Sequence, residues 1–100
     1  MKEILIHIEQ INKLCTLYKV KSLFAFGSVT TDKFRRDSDI DLVVEIEETD
    51  PISYSNSYWN LKSRLEQLFE RDIDLLEHKS IVNPFLKERI DTTKVLIYGY

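Results

Sequence analysis

Asp39-Ile40-Asp41-Leu42-Val43-Val44-Glu45-Ile46 alternates residue by residue, with Ile40, Leu42, Val44 and Ile46 on one side and Asp39, Asp41, Val43 and Glu45 on the other. A period of two over eight residues is the pattern of a half-buried strand. Upstream, Leu23-Phe24-Ala25-Phe26 is too short for a helix and ends at Gly27, so it reads as a second, buried strand. Gly27-Ser28 then permits a tight turn into a short helix over Val29–Phe34, followed by a loop at Arg35–Ser38. Further upstream, Ile4, Ile8, Ile11, Cys15 and Tyr18 recur at helical spacing. Downstream lies an acidic loop over residues 47–51. Tyr54, Tyr58, Leu61, Leu65 and Leu68 then mark a long helix from Ser53 to Glu70, and Trp59 and Phe69 flank its apolar stripe as packing residues. Asp72-Ile73-Asp74-Leu75-Leu76 is another alternating strand, Asn83-Pro84 opens a short helix, and Lys94–Tyr98 is a last strand before Gly99. Helices and strands alternate throughout, which predicts an α/β (α+β) architecture: one domain over residues 1–100, with a small mixed sheet of about four strands flanked by helices.

Composition narrows the function. The chain has 100 residues, 43% hydrophobic and 31% charged, an ordinary globular mix. Fourteen Lys and Arg against 17 Asp and Glu give a net charge of −3, which argues against direct binding along DNA or RNA. A single cysteine, Cys15, forms no internal disulfide and no thiolate zinc site, and its helical spacing places it in the core. No stretch is long and apolar enough for a membrane span or a leader peptide, so the expected location is the cytoplasm.

The chemistry is concentrated in the aspartates. Asp is poorly suited to strands, yet Asp39 and Asp41 share one face of one strand, and Asp72 and Asp74 share one face of another. If the two strands are neighbours, three or four carboxylates converge and repel one another unless a cation lies among them. An all-oxygen set suits Mg²⁺ or Mn²⁺. Asp72 sits at the start of its strand and reads as solvated, as does Glu45 further along the first. Gly27 and Ser28 stand at a strand-to-helix junction, where free N–H groups and a serine hydroxyl can take a phosphate, although Ser28 also suits a plain helix cap. A phosphate cradle beside metal-binding carboxylates suggests phosphoryl or nucleotidyl transfer. His7 and His78 have no partner at metal-ligand spacing and are expected at the surface.

Gly27-Ser28, ten further residues, and then Asp39-Ile40-Asp41 resemble the Gly-Ser-x(10)-Asp-x-Asp motif of the DNA polymerase β-like nucleotidyltransferases. Asp74 matches that superfamily's third carboxylate. The length of the chain resembles the minimal nucleotidyltransferases (MNT), which consist of the catalytic core alone. The resemblance implies catalysis by Asp39, Asp41 and Asp74, which would ligate two Mg²⁺ ions, and a nucleotide held by Gly27 and Ser28. It implies AMP transfer from ATP to a hydroxyl, with pyrophosphate released. It also implies a role as antitoxin toward a HEPN-domain toxin, whose tyrosine would be the acceptor. The alternative is an antitoxin that neutralises its partner by binding alone, with a degenerate nucleotide site. One departure motivates that alternative: Val29-Thr30-Thr31-Asp32 stand where many members carry arginines, which leaves Lys33, Arg35 or Arg36 to supply the charge.

Overall fold

The computed structural model describes residues 1–99. In chain order the elements are α1 (Lys2–Leu5), α2 (Ile8–Leu17), β1 (Val20–Phe26), β2 (Ile40–Ile46), α3 (Pro51–Phe69), β3 (Ile73–Glu77), α4 (Pro84–Thr93) and β4 (Val95–Gly99), with 3₁₀ turns at Gly27–Thr30 and His78–Ser80. The four strands form one sheet in the order β3-β2-β1-β4. β1 runs antiparallel to both β2 and β4, whereas β2 and β3 are parallel, so the sheet is mixed as expected. Parallel neighbours require a crossover, and α3 provides it.

The alternation in β2 sorts its residues between two cores. Ile40, Leu42, Val44 and Ile46 face the main core, where they meet Leu23 and Ala25 of β1, Ile4, Ile11 and Cys15 from the first helices, and Leu61 and Leu65 of α3. Val43 points to the other face and packs with Phe26 and Ile90 beneath α4. Asp41 lies on that second face, because it shares the parity of Val43. The sheet is therefore covered by α2 and α3 on one side and by α4 on the other.

Helix ends follow local chemistry. Asp50 caps α3 by accepting the Ser53 N–H at 2.9 Å, with Pro51 in the first turn; such a cap is worth about 1 kcal/mol. Asn83 does the same for α4, accepting from the N–H groups of Phe85 and Leu86. Gly99 pairs with Ser22 at φ +85°, and a β-carbon there would lie 2.0 Å from the Lys21 carbonyl oxygen.

Four expectations need correction. The first helix is interrupted at His7, whose backbone leaves helical geometry (φ −110°, ψ 16°) and whose ring meets Phe69 edge-on at 5.3 Å. His7 is thus half-buried rather than a surface residue. The helix expected over Val29–Phe34 is only the 3₁₀ turn, and the chain is extended again at Thr31. The hydroxyls of Thr30 and Thr31 donate to the carbonyls of Gly27 and Ser28 at 2.7 and 2.9 Å, in competition with helical N–H donors. Trp59 is 61% exposed, with the Lys62 ammonium 5.7 Å from its ring, and does not pack into the core.

Cys15 is fully buried, and loss of hydration pushes its thiol up to about 12. The native chain is therefore expected to resist a thiol-disulfide reagent at pH 8 and to react fully in denaturant, because the thiolate is the nucleophile. Above the ordinary value of 9.0 the unfolded thiol ionises while the folded one does not, so this group lowers stability as pH rises from there. Rapid labelling without denaturant would contradict its place in the core.

Candidate active site

The motif residues gather at one end of the sheet, on the face that α4 covers. β1 delivers Phe26 opposite Asp41, and Gly27 follows immediately. The parallel pairing sets Asp41 beside Asp74 on the adjoining strand. Ile73 and Leu75, the neighbours of Asp74, are buried in the main core, so Asp74 projects to the same side as Asp41. Asp39 lies just ahead of β2 and is exposed, as are Asp74 and Asp72. The Asp72 carbonyl accepts the Ile40 N–H at 3.3 Å, which ties the starts of the two strands together.

Asp41 is the most enclosed of these carboxylates. Burial raises its proton affinity above the ordinary range, Arg89 opposes that shift, and the nearby charges of Asp74 and Asp39 add to it. The Arg89 guanidinium reaches down from α4 to 3.5 Å from Asp41 Oδ2. Gly27 is pinched between the two. Its φ is +73°, and a β-carbon there would lie 2.7 Å from Asp41 Oδ2 and 2.8 Å from Arg89 Nη2. Glycine is thus needed for the backbone angle, and a β-carbon would also displace the ends of the Asp41 and Arg89 side chains.

The turn differs from the expected phosphate cradle. A four-residue 3₁₀ turn has no helix macrodipole to offer, and the Gly27 N–H is already taken by Thr93 Oγ1 at 3.0 Å. Thr93 in turn donates to the Arg89 carbonyl at 2.7 Å, so the C-terminal half of α4 is fastened to the Gly27 turn. Ser28 does not cap the turn, since Phe26 occupies the cap position and no side-chain bond is made there. Among the described residues the Ser28 hydroxyl makes no hydrogen bond, which leaves it able to donate to a ligand.

Lys33, Arg35 and Arg36 are exposed on the loop before β2. That loop is held by Arg71, which donates to the carbonyls of Ser38 and Arg35 at 2.9 and 3.4 Å and stacks 4.7 Å over Phe34. Two cations meet the Gly27 turn: the Met1 ammonium, which donates to the Val29 carbonyl at 2.9 Å, and Arg89, a residue the motif does not announce. No periodicity marks it, because its placement depends on how Ile90 docks onto Phe26 and Val43. Glu45, at the far end of the same face, is half-exposed and pairs with Lys21 and His78 at 3.4 and 3.7 Å.

Comparison with known proteins bears on the family and the fold. Residues 9–100 match the family described as "Polymerase beta, Nucleotidyltransferase". Two proteins of Methanocaldococcus jannaschii, each named "Putative protein adenylyltransferase", are 38% and 36% identical to it over 80 residues, spanning 80% of this chain and 79% of each relative. Among solved structures, a minimal nucleotidyltransferase superposes with a TM-score of 0.75 at 26% identity, over 94% of this chain and 92% of the other. A toxin–antitoxin complex crystallised with AMP-PNP contains a chain with a TM-score of 0.71 at 26% identity, covering 93% of this chain and 73% of that one. The chain belongs to the polymerase β-type nucleotidyltransferase family, and a minimal nucleotidyltransferase is among the solved structures it resembles.

Proposed function

We propose that residues 1–100 act as one catalytic domain that transfers AMP from ATP to a tyrosine hydroxyl of a HEPN-domain toxin, in the cytoplasm and with Mg²⁺, and thereby serves as antitoxin. The observation that carries this reading is the in-register placement of Asp41 and Asp74 on adjoining strands beside the Gly27-Ser28 turn. The relatives named as protein adenylyltransferases and the structural neighbours from toxin–antitoxin complexes support the choice of nucleotide and partner. Among the described residues no helix is long and apolar enough to cross a membrane.

The donor set fits Mg²⁺. Asp39, Asp41 and Asp74 offer only carboxylate oxygens; burial is the main cause of the raised proton affinity of Asp41, and the charges of Asp74 and Asp39 add a smaller part that a cation would relieve. Among the described residues no three such side chains stand together as a group that could hold an ion, so at most two of these carboxylates would bind one in this arrangement. An open set agrees with an ion that takes one or two carboxylates and completes its shell with water and substrate phosphates. Bound Mg²⁺ would neutralise the triphosphate and make the acceptor hydroxyl easier to ionise.

The chain's own groups do the rest. Asp39 and Asp41 would hold the ion and through it the triphosphate, and the Ser28 hydroxyl would donate to a phosphate oxygen at the turn. Asp74 is exposed and so open to an incoming side chain, and it takes the acceptor's proton. The freed oxygen forms the new bond to the α-phosphorus, the bond from that phosphorus to the bridging oxygen breaks, and pyrophosphate leaves.

A second reading, protection by binding alone, is favoured by two observations: Arg89 already sits on Asp41, and Thr93 already occupies the Gly27 N–H. The experiment uses the protein with Mg²⁺, a lysate of its host, and ATP labelled at the α- or the γ-phosphate. Transfer of the α-label alone to a protein band supports adenylylation. Its absence despite a stable complex with a partner overturns transfer and leaves the binding reading.

A further inference from the structure

Arg89 combines features that a purely structural arginine does not need. Its ion pair with Asp41 is long, at 3.5 Å, and its side chain is 55% exposed while that of Asp41 is 16% exposed. A half-solvated pair at this distance is weak and easily broken. Its backbone, by contrast, is held firmly. Ile90 is buried against Phe26 and Val43, and Thr93 bridges the Arg89 carbonyl to the Gly27 N–H. A half-exposed cationic head, 5.7 Å from the centre of the Phe26 ring, therefore stands on a fixed base, and its Nη2 reaches to 2.8 Å from the position a Gly27 β-carbon would occupy.

We propose that Arg89 is the exchangeable cation of this site: it neutralises Asp41 in the metal-free chain and moves onto the β- and γ-phosphates of the bound nucleotide once a divalent ion takes that carboxylate. The inference rests on the reading of Asp39, Asp41 and Asp74 as metal ligands for a nucleoside triphosphate. A divalent ion on Asp41 would stand next to a guanidinium, and like charges at that range repel. The nearest compensating anion is the polyphosphate along the Gly27-Ser28 turn. Guanidinium's planar fork suits phosphate oxygens bidentately. The handover also accounts for the residues after Ser28. Val29 is buried, Thr30 and Thr31 bond back to the turn, and Asp32 is acidic, so α4 provides the charge from elsewhere in the chain.

The test compares the wild-type protein with Arg89→Gln and Arg89→Lys, using two binding readouts and no turnover. Mn²⁺ alone, followed by the loss of its free-ion resonance signal, should bind the Gln variant several-fold more tightly than wild type, because a competing cation is gone. ATP with Mg²⁺, followed by calorimetry, should bind it about tenfold more weakly. AMP, which lacks the β- and γ-phosphates, should bind both equally, and the Lys variant should fall between them for ATP. The substituted side chain is exposed, so near-UV dichroism should show the fold unchanged. Equal ATP affinity in wild type and the Gln variant overturns the handover, and so does weaker Mn²⁺ binding in that variant, which would mean that Arg89 only positions Asp41. A wild-type chain that binds no ATP with Mg²⁺ overturns the underlying reading as well as the handover, so the two failures are told apart.

Discussion

Asp39→Asn together with Asp41→Asn should reduce adenylate transfer by at least about 10³-fold, on the order of 4 kcal/mol of transition-state stabilisation, while the protein melts within a few degrees of wild type. The asymmetry between activity and stability is the informative part. Asp39 is exposed, so its charge contributes little to folding. Asp41 is enclosed, and its ionised form is disfavoured by burial and by Asp74 and Asp39, with Arg89 as partial compensation. Asparagine keeps the shape, removes the repulsion and gives up a loose ion pair. The net change in stability should lie within about 1 kcal/mol of zero. Initial rates of α-label transfer and a thermal melt measure both quantities. Activity within tenfold of wild type would remove the two carboxylates from the chemistry. Complete protection from a toxin by the inactive variant would support masking instead.

Leu65→Ala should lower the free energy of unfolding by about 2–5 kcal/mol, a large share of the 5–15 kcal/mol typical of a domain. α3 is 19 residues long, yet its fully buried residues are Leu61 and Leu65. They insert among Leu42, Val44, Ile73 and Leu75, so they fasten the crossover helix to the pair of strands that carries the carboxylates. Truncation leaves a cavity in the central layer that neighbouring side chains fill only in part. Urea titration should show a lower midpoint with an unchanged slope, as expected when the native and unfolded surfaces are otherwise preserved. A loss under 1 kcal/mol would mean that α3 is held chiefly by its edges. The hydroxyls of Tyr54 and Tyr58 reach β3 there, donating to Glu77 and to the Leu75 carbonyl.

The strands were legible because their burial is one-sided. Residues 39–46 and 72–76 alternate so regularly that the facing of Asp39, Asp41 and Asp74 followed from parity, and the observed sheet has the mixed form anticipated. The long helix was legible from Leu61, Leu65 and their neighbours at helical spacing. The turn after Gly27 was not, because helix propensity says little about hydroxyls that bond back to local carbonyls, as Thr30 and Thr31 do. Trp59 misled because an aromatic beside an apolar stripe reads as core, whereas here Tyr54 and Tyr58 occupy that flank and Trp59 lies outside it. Arg89 was invisible for a different reason. α4 shows one buried residue, Ile90, so its pattern does not say which side of the sheet it covers or which of its charges meets Asp41.

The parallel pairing of Ile40 with Ile73 and Asp41 with Asp74 makes the core a ruler for the chemistry. Shifting β3 by one position would turn Ile73 and Leu75 outward and drive Asp74 into the apolar layer, a change the fold does not survive. Shifting it by two would restore the alternation but move the carboxylate by about 6.6 Å, too far to share an ion with Asp41. The spacing between the two acids is therefore quantised: no small drift in strand alignment can tune it. Any lineage that retains this pairing retains that geometry. Adaptation is confined to what lies around the acids, the turn at Gly27 and the helix above it.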